Sequence, residues 1–208
     1  MKPSLLALFA VVSVALAACG GIGASPPPPA SAASLVPAAA SAQTAAAAYC
    51  KQTGGEVELR QPVYGSNSSQ LLFLAGQKAF CQYTSKKDGS RIHILLETLY
   101  TTKPSLAALA YILKPTVGSC SGNPASCYCS LLGGSDQFGG TSGSGGGWYK
   151  KNGIDQTLDA CIFPDMSSID SWGLTYHAEG ITRGIDLQKV MRYKYPGTAG
   201  APVKSPRS

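Results

Sequence analysis

Tyr49-Cys50-Lys51-Gln52-Thr53-Gly54-Gly55 and Tyr128-Cys129-Ser130-Leu131-Leu132-Gly133-Gly134 repeat one pattern 79 positions apart. Each sets a cysteine near the end of a helical stretch and stops it with paired glycines, where glycine supplies the left-handed backbone that closes a helix. Two more blocks follow in the same order. Cys81 corresponds to Cys161 at an offset of 80, each two residues before an aromatic, Tyr83 and Phe163. Ser105-Leu106 through Pro115 corresponds to Asp186-Leu187 through Pro196 at an offset of 81. One agreement is within chance; three in one order indicate an internal duplication.

Duplication selects among cysteine pairings. Beyond Cys19 the chain carries Cys50, Cys81, Cys120, Cys127, Cys129 and Cys161. An even set in an exported chain implies a disulfide framework, and six cysteines allow fifteen pairings. Copies of one fold share one bridge, which gives Cys50–Cys81 and Cys129–Cys161 and leaves Cys120 for Cys127. Cys127 and Cys129 are too close to pair without strain. Zinc is the rival use of such cysteines, but pairs with two to four intervening residues are lacking, and neither His93 nor His177 stands at ligand spacing to a cysteine. No metal or other cofactor is expected.

Each half reads as a helix, two or three short strands and a second helix, an α+β unit. In the second half Asn123 can cap and Pro124 fits a first turn, where its missing N–H costs nothing. In the first half Val57 and Leu59 alternate, and Leu71–Leu74 and Ala79–Tyr83 are strand-like. Gly139–Gly147 stands where the second half should have a strand, which predicts a hairpin or loop. Ile92, Leu95, Leu96 and Leu99 fall at helical spacing, as do Ile169, Trp172 and Tyr176. A last helix can start at Pro104 in one half and at Asp186 in the other.

Outward from the repeats, the N-terminus decides the address. Lys2 precedes an uncharged run from Leu5 to Leu16, about the length of a signal-peptide core. Leu16-Ala17-Ala18-Cys19-Gly20 then follows and looks like a bacterial lipobox, with small residues before a thiol that accepts diacylglycerol and is joined by further acyl chains such as palmitate. Two or three acyl chains anchor stably, at ~0.8 kcal/mol per buried methylene. Gly20, where aspartate would retain the protein in the inner membrane of an enteric-type cell, favours the outer membrane, with the folded part in the periplasm. The expected organisation is a signal peptide over 1–18, a disordered Ala/Pro/Ser-rich tether over 19–48, a first, degenerate repeat over 49–115, a second repeat over 116–196, and a disordered tail over 197–208. The uncharged tether, with Pro26-Pro27-Pro28-Pro29, has nothing with which to build a core.

Loss of residues 1–18 lowers the formal charge from +6 to +5. The basic residues are scattered, as at Lys86-Lys87 and Lys150-Lys151, without interleaved aromatics, so a nucleic-acid partner is not expected. No Gly-x-Ser-x-Gly motif accompanies the serines, and the Gly139–Gly147 run lacks the Lys-Ser/Thr of a phosphate loop. His93 with Glu97, and the group Asp165, Asp170, His177 and Glu179, are the acid–base candidates.

Asn123-Pro124-Ala125-Ser126-Cys127-Tyr128-Cys129, Gly133-Gly134, Cys161-Ile162-Phe163 and Trp172 resemble the signature of a bacterial family of small periplasmic or lipoprotein domains of unknown function, labelled hemolysins. The resemblance covers about 123–180 well and 49–100 as a degenerate copy lacking Asn-Pro and Trp. The family's later cysteine pair is missing here, and Cys120 with Cys127 departs from it. The resemblance implies an envelope location and a small disulfide-bonded fold; it implies no activity, and no pore-forming apolar stretch follows Cys19. The expected role is therefore that of a lipid-anchored envelope protein with a non-catalytic binding or structural function, its partner a protein or wall component, that meets the membrane through the lipid on Cys19. The rival is an envelope hydrolase using His177 and a neighbouring carboxylate.

Overall fold

The computed structural model describes residues 36–65, 70–136, 146–152 and 155–198. In chain order the elements are α1 (Val36–Gln52), β1 (Glu56–Tyr64), β2 (Leu72–Phe73), β3 (Lys78–Thr84), β4 (Arg91–Leu95), α2 (Leu96–Tyr100), α3 (Leu106–Leu113), α4 (Pro124–Leu131), β5 (Gly146–Tyr149), β6 (Thr157–Leu158), β7 (Ala160–Ile162), β8 (Ser168–Asp170), α5 (Ser171–Ala178) and α6 (Leu187–Val190), with a 3₁₀ turn at Pro196–Thr198. The fold is thus mixed α+β. The expected signal peptide, Cys19 and most of the expected tail lie outside the described residues. None of the described helices is long and apolar enough to cross a membrane.

The strands hydrogen-bond in the order β6-β5-β1-β3-β4-β8-β7, with β2 beside the end of β1. Every pairing is antiparallel. The two outermost members are successive pieces of one bent strand, since only Asp159 separates Leu158 of β6 from Ala160 of β7. That strand pairs with β5 on one side of the bend and β8 on the other, so the sheet curls into a nearly closed barrel.

Register sorts the side chains into two faces. Glu58 stands opposite Phe80, Phe80 opposite Leu95, and Gln82 opposite His93. Trp148 stands opposite Pro62 and Leu158, and Ala160 opposite Asp170. Strand alternation therefore turns all of these inward. Phe80, Leu95, Trp148, Leu158 and Ala160 make a small inner core. The outward residues Ala79, Cys81, Ile92, Ile94, Cys161 and Ile169 meet Leu99, Tyr111, Leu174 and Leu187 of the helices in the main core.

The bridges are Cys50–Cys81, Cys120–Cys127 and Cys129–Cys161. The first ties α1 to β3 and the third ties α4 to β7. Both helices end alike: Gly54 and Gly133 have φ of 88° and 85°, and Gly55 and Gly134 donate to the Cys50 and Cys129 carbonyls at 2.8 and 2.9 Å. A Cβ on Gly134 would stand 2.5 Å from Cys161 Sγ, and one on Gly55 would collide with Cys81 Sγ. The second glycine of each pair leaves room for the bridge.

Several expectations are corrected. The tether does not extend to residue 48 as disordered chain: Val36–Gln52 is helical, because alanine is the best helix former and Ala46 packs into the main core. Residues 91–95 form a strand and only Leu96–Tyr100 a short helix; Ile169 likewise belongs to a strand, and the helix carrying Trp172 starts at Ser171. Gly146 and Gly147 open strand β5, while 139–145 lie outside the described residues. The described residues 36–198 lie in one compact unit, and strands from both sides of residue 116 share the sheet. The tail begins with a turn at Pro196–Thr198.

Candidate functional site

The barrel interior carries charge. Glu58 and Arg60 point inward from β1, 4% and 1% exposed, and His93 joins them from β4. The Arg60 guanidinium donates to Glu58 Oε2 through Nη2 at 2.6 Å and Nε at 2.9 Å, and through Nη1 to the carbonyls of Trp148 and Asp155 at 3.1 and 2.8 Å. Lys150 Nζ reaches Glu58 Oε1 at 2.5 Å. His93 Nε2 lies 3.4 Å from Glu58 Oε2 and 3.2 Å from Gln82 Oε1, while Nδ1 lies 3.6 Å from Asp170 Oδ2. Asp170 does two further jobs: Oδ2 accepts from the His93 backbone at 2.7 Å, and Oδ1 caps α5 by accepting from Gly173.

Burial opposes every charge here, and the mutual pairing decides which survive. Burial would raise the Glu58 carboxyl, but His93, Lys150 and Arg60 together hold it far below the carboxylate range. Burial would lower His93, but Asp170 and Glu58 outweigh it and raise it above the ordinary 6.5. The signs are opposite. The stability from Glu58 is present above its unfolded value and lost on acidification; that from His93 is present below 6.5 and lost as pH rises through its folded value.

Beside this network, where the β6–β7 bend meets β4, β8 and α5, is a cavity of about 80 Å³. Arg91 and Asp155 line it as an ion pair at 3.1 Å, and His93 and Asp170 line it as well. Asp159 enters from the bend. Burial, then the charges of Asp136 and Asp170, push its carboxyl up to about 6. Trp172, 5.7 Å from the Tyr176 ring, and Arg183, whose guanidinium lies 5.2 Å over Tyr176, complete the wall.

The acid–base candidates from sequence separate in space. His93 is on a strand and Glu97 on α2, where it accepts from Gln43 at 3.4 Å. Asp165 caps the Leu106 and Ser167 amides at 2.8 and 3.1 Å, and Glu179 ends α5 in solvent. His177 is 4% exposed and stacks flat on Tyr111 with centroids 3.7 Å apart, and neither ring nitrogen has a hydrogen-bond partner among the described residues. The pairing that does form is His93 with Asp170. Glu58, Arg60 and Asp159 carry no motif; the alternation of charges at 58 and 60 is the one sequence signal that marks two of them.

Burial and the Lys114 charge push His177 down to about 4, with Asp186 opposing. A depressed histidine stabilises the fold while neutral and loses that contribution as pH falls from 6.5 towards 4. A fall from 6.5 to about 4 corresponds to about 3 kcal/mol. His177→Phe keeps the stack on Tyr111 without the titration. Urea unfolding at pH 7 and pH 4 is expected to show wild type losing about 3 kcal/mol more than the variant between the two; equal losses would mean that His177 is hydrated in the fold.

No family model, curated protein or solved structure matches this chain.

Proposed function

We propose that this is an exported, lipid-anchored envelope protein whose barrel domain binds an envelope or cell-wall component without catalysis. The observation that carries the reading is the set of three intrachain disulfides, two of them wholly buried. Such frameworks form and persist in oxidising compartments outside the cytosol. The lipobox-like Leu16-Ala17-Ala18-Cys19 adds the anchor, and Gly20 favours the outer membrane. A binding role is supported by the chemistry of the interior: Glu58, Arg60, His93 and Asp170 are committed to one another, which builds a rigid wall rather than a free general base.

The two halves are further proposed to be copies. The identical glycine stops, the bridges at corresponding cysteines, and the meanders β1-β3-β4 and β5-β6/β7-β8 in the same order support this. The resemblance of 123–180 to the hemolysin-labelled family is kept on the same footing, with no activity attached. The test is metabolic palmitate labelling in a Gram-negative host. Wild type is expected to take label and to fractionate with the outer membrane, and Cys19→Ser to lose the label and remain unprocessed. An unlabelled wild type overturns the anchor, and recovery in the inner membrane overturns the address.

A further inference from the structure

Which chemistry the cavity recognises follows from its charges. Three acids and three bases line it, and most are spent internally: Arg91 on Asp155, and His93 between Asp170 and Glu58. Two are left. The Asp159 carboxylate has no hydrogen-bond donor among the described residues, and Arg183 makes no ion pair among them, its guanidinium resting on Tyr176. The site therefore offers one unspent acceptor, one unspent planar cation and the half-buried indole of Trp172 as a wall.

A purely anionic ligand would meet Asp155, Asp159 and Asp170, and a purely cationic one Arg91, Arg183 and His93. A ligand carrying both signs meets the unspent pair and leaves the internal pairs alone. Size narrows it further. About 80 Å³ is the room of two or three waters, too little for a nucleotide or a sugar ring but enough for a small charged head group.

We propose that the cavity seats an ammonium and a carboxylate borne on one carbon, the ammonium on Asp159 and the carboxylate on Arg183, with the rest of the ligand passing along Trp172. This rests on the binding reading above and names its ligand class. Free amino acids carry that group, and so does the side-chain end of a diamino acid in a wall peptide. The raised Asp159 fits a carboxylate awaiting a cation, and affinity should fall as the pH drops through about 6.

The test uses the full-length, ¹⁵N-labelled protein in detergent at pH 7, reading the Trp172 indole resonance, assigned through Trp172→Phe. Four probes are titrated: glycine, acetate, methylammonium, and a soluble peptide containing 2,6-diaminopimelate. Glycine or the peptide is expected to shift the resonance saturably, at least tenfold more tightly than acetate or methylammonium. The tighter of the two identifies the source. Asp159→Asn and Arg183→Gln are each expected to weaken binding at least tenfold with an unchanged melting midpoint. Arg183 is on a loop, so its variant remains informative if Asp159→Asn misfolds. No shift with any probe, or acetate or methylammonium binding as well as glycine, overturns the assignment. If Cys19-dependent labelling stands while the resonance stays still, the ligand class falls and the anchored envelope reading does not.

Discussion

Arg60→Met is expected to lower the unfolding free energy by about 3–5 kcal/mol, because the guanidinium is what makes a buried Glu58 tolerable. Removing it strips Glu58 Oε2 of two donors and leaves the Trp148 and Asp155 carbonyls without their shared partner. Methionine fills much of the volume, so the loss reports charge and hydrogen bonding rather than a void. Adding Glu58→Gln is expected to recover part of it, since a neutral amide no longer needs a counter-charge, although Lys150 then loses its partner. The measurement is urea unfolding at pH 7 of both variants beside wild type. A single-variant loss below about 1 kcal/mol would mean that water enters the barrel and screens the pair.

The bridges should differ in value and in vulnerability. Cys50–Cys81 and Cys129–Cys161 are separated by 31 and 32 residues, and each is worth about 3.5 kcal/mol in the loop-entropy account. Cys120–Cys127 spans a separation of 7 and is worth about 2.5 kcal/mol. The four cysteines of the long bridges are 0% exposed, whereas Cys120 is exposed. Paired Cys→Ala variants are expected to lose stability in that order, and mild dithiothreitol to open Cys120–Cys127 first, read by mass spectrometry after alkylation. Opening of a long bridge before the short one would show that α1 or α4 detaches from the sheet while the rest stays folded.

Local chemistry was legible in the chain and long-range closure was not. Asn123-Pro124 announces the start of α4, and the structure has Asn123 Oδ1 accepting from Ala125 at 2.9 Å. The glycine stops are equally local. Ile92 to Leu99 misled because a strand ending at Leu95 runs directly into a helix starting at Leu96, and their joint apolar spacing imitates one helix. The Ala-rich segment misled for a different reason: low complexity argued for a tether, while high helix propensity and the small Ala46 side chain let it dock. On β1 the alternation was visible but not its direction. Leu59 is 61% exposed while Glu58 and Arg60 are buried, an inversion that becomes sensible only once Trp148 of β5, Lys150 just after it and His93 of β4 arrive to pair with them. His93 and Asp170 were separately noticeable, yet their pairing depends on a β4–β8 contact that no spacing encodes.

The seam at Asp159 sets the order in which this molecule can be made. A chain that emerges N-terminus first completes β1, β3 and β4 early, with β1 and β4 as bare edges whose peptide groups seek a neighbour. Their neighbours β5 and β8 belong to residues 146–170, so Gln61 must wait for Tyr149 and Ile94 for Ile169. Contacts that distant in sequence slow folding, and open edges invite association with other chains during the delay. Once β5 covers β1 and β8 covers β4, the bent strand pairs with the two new edges, so the hazard ends only when the last third of the chain has arrived.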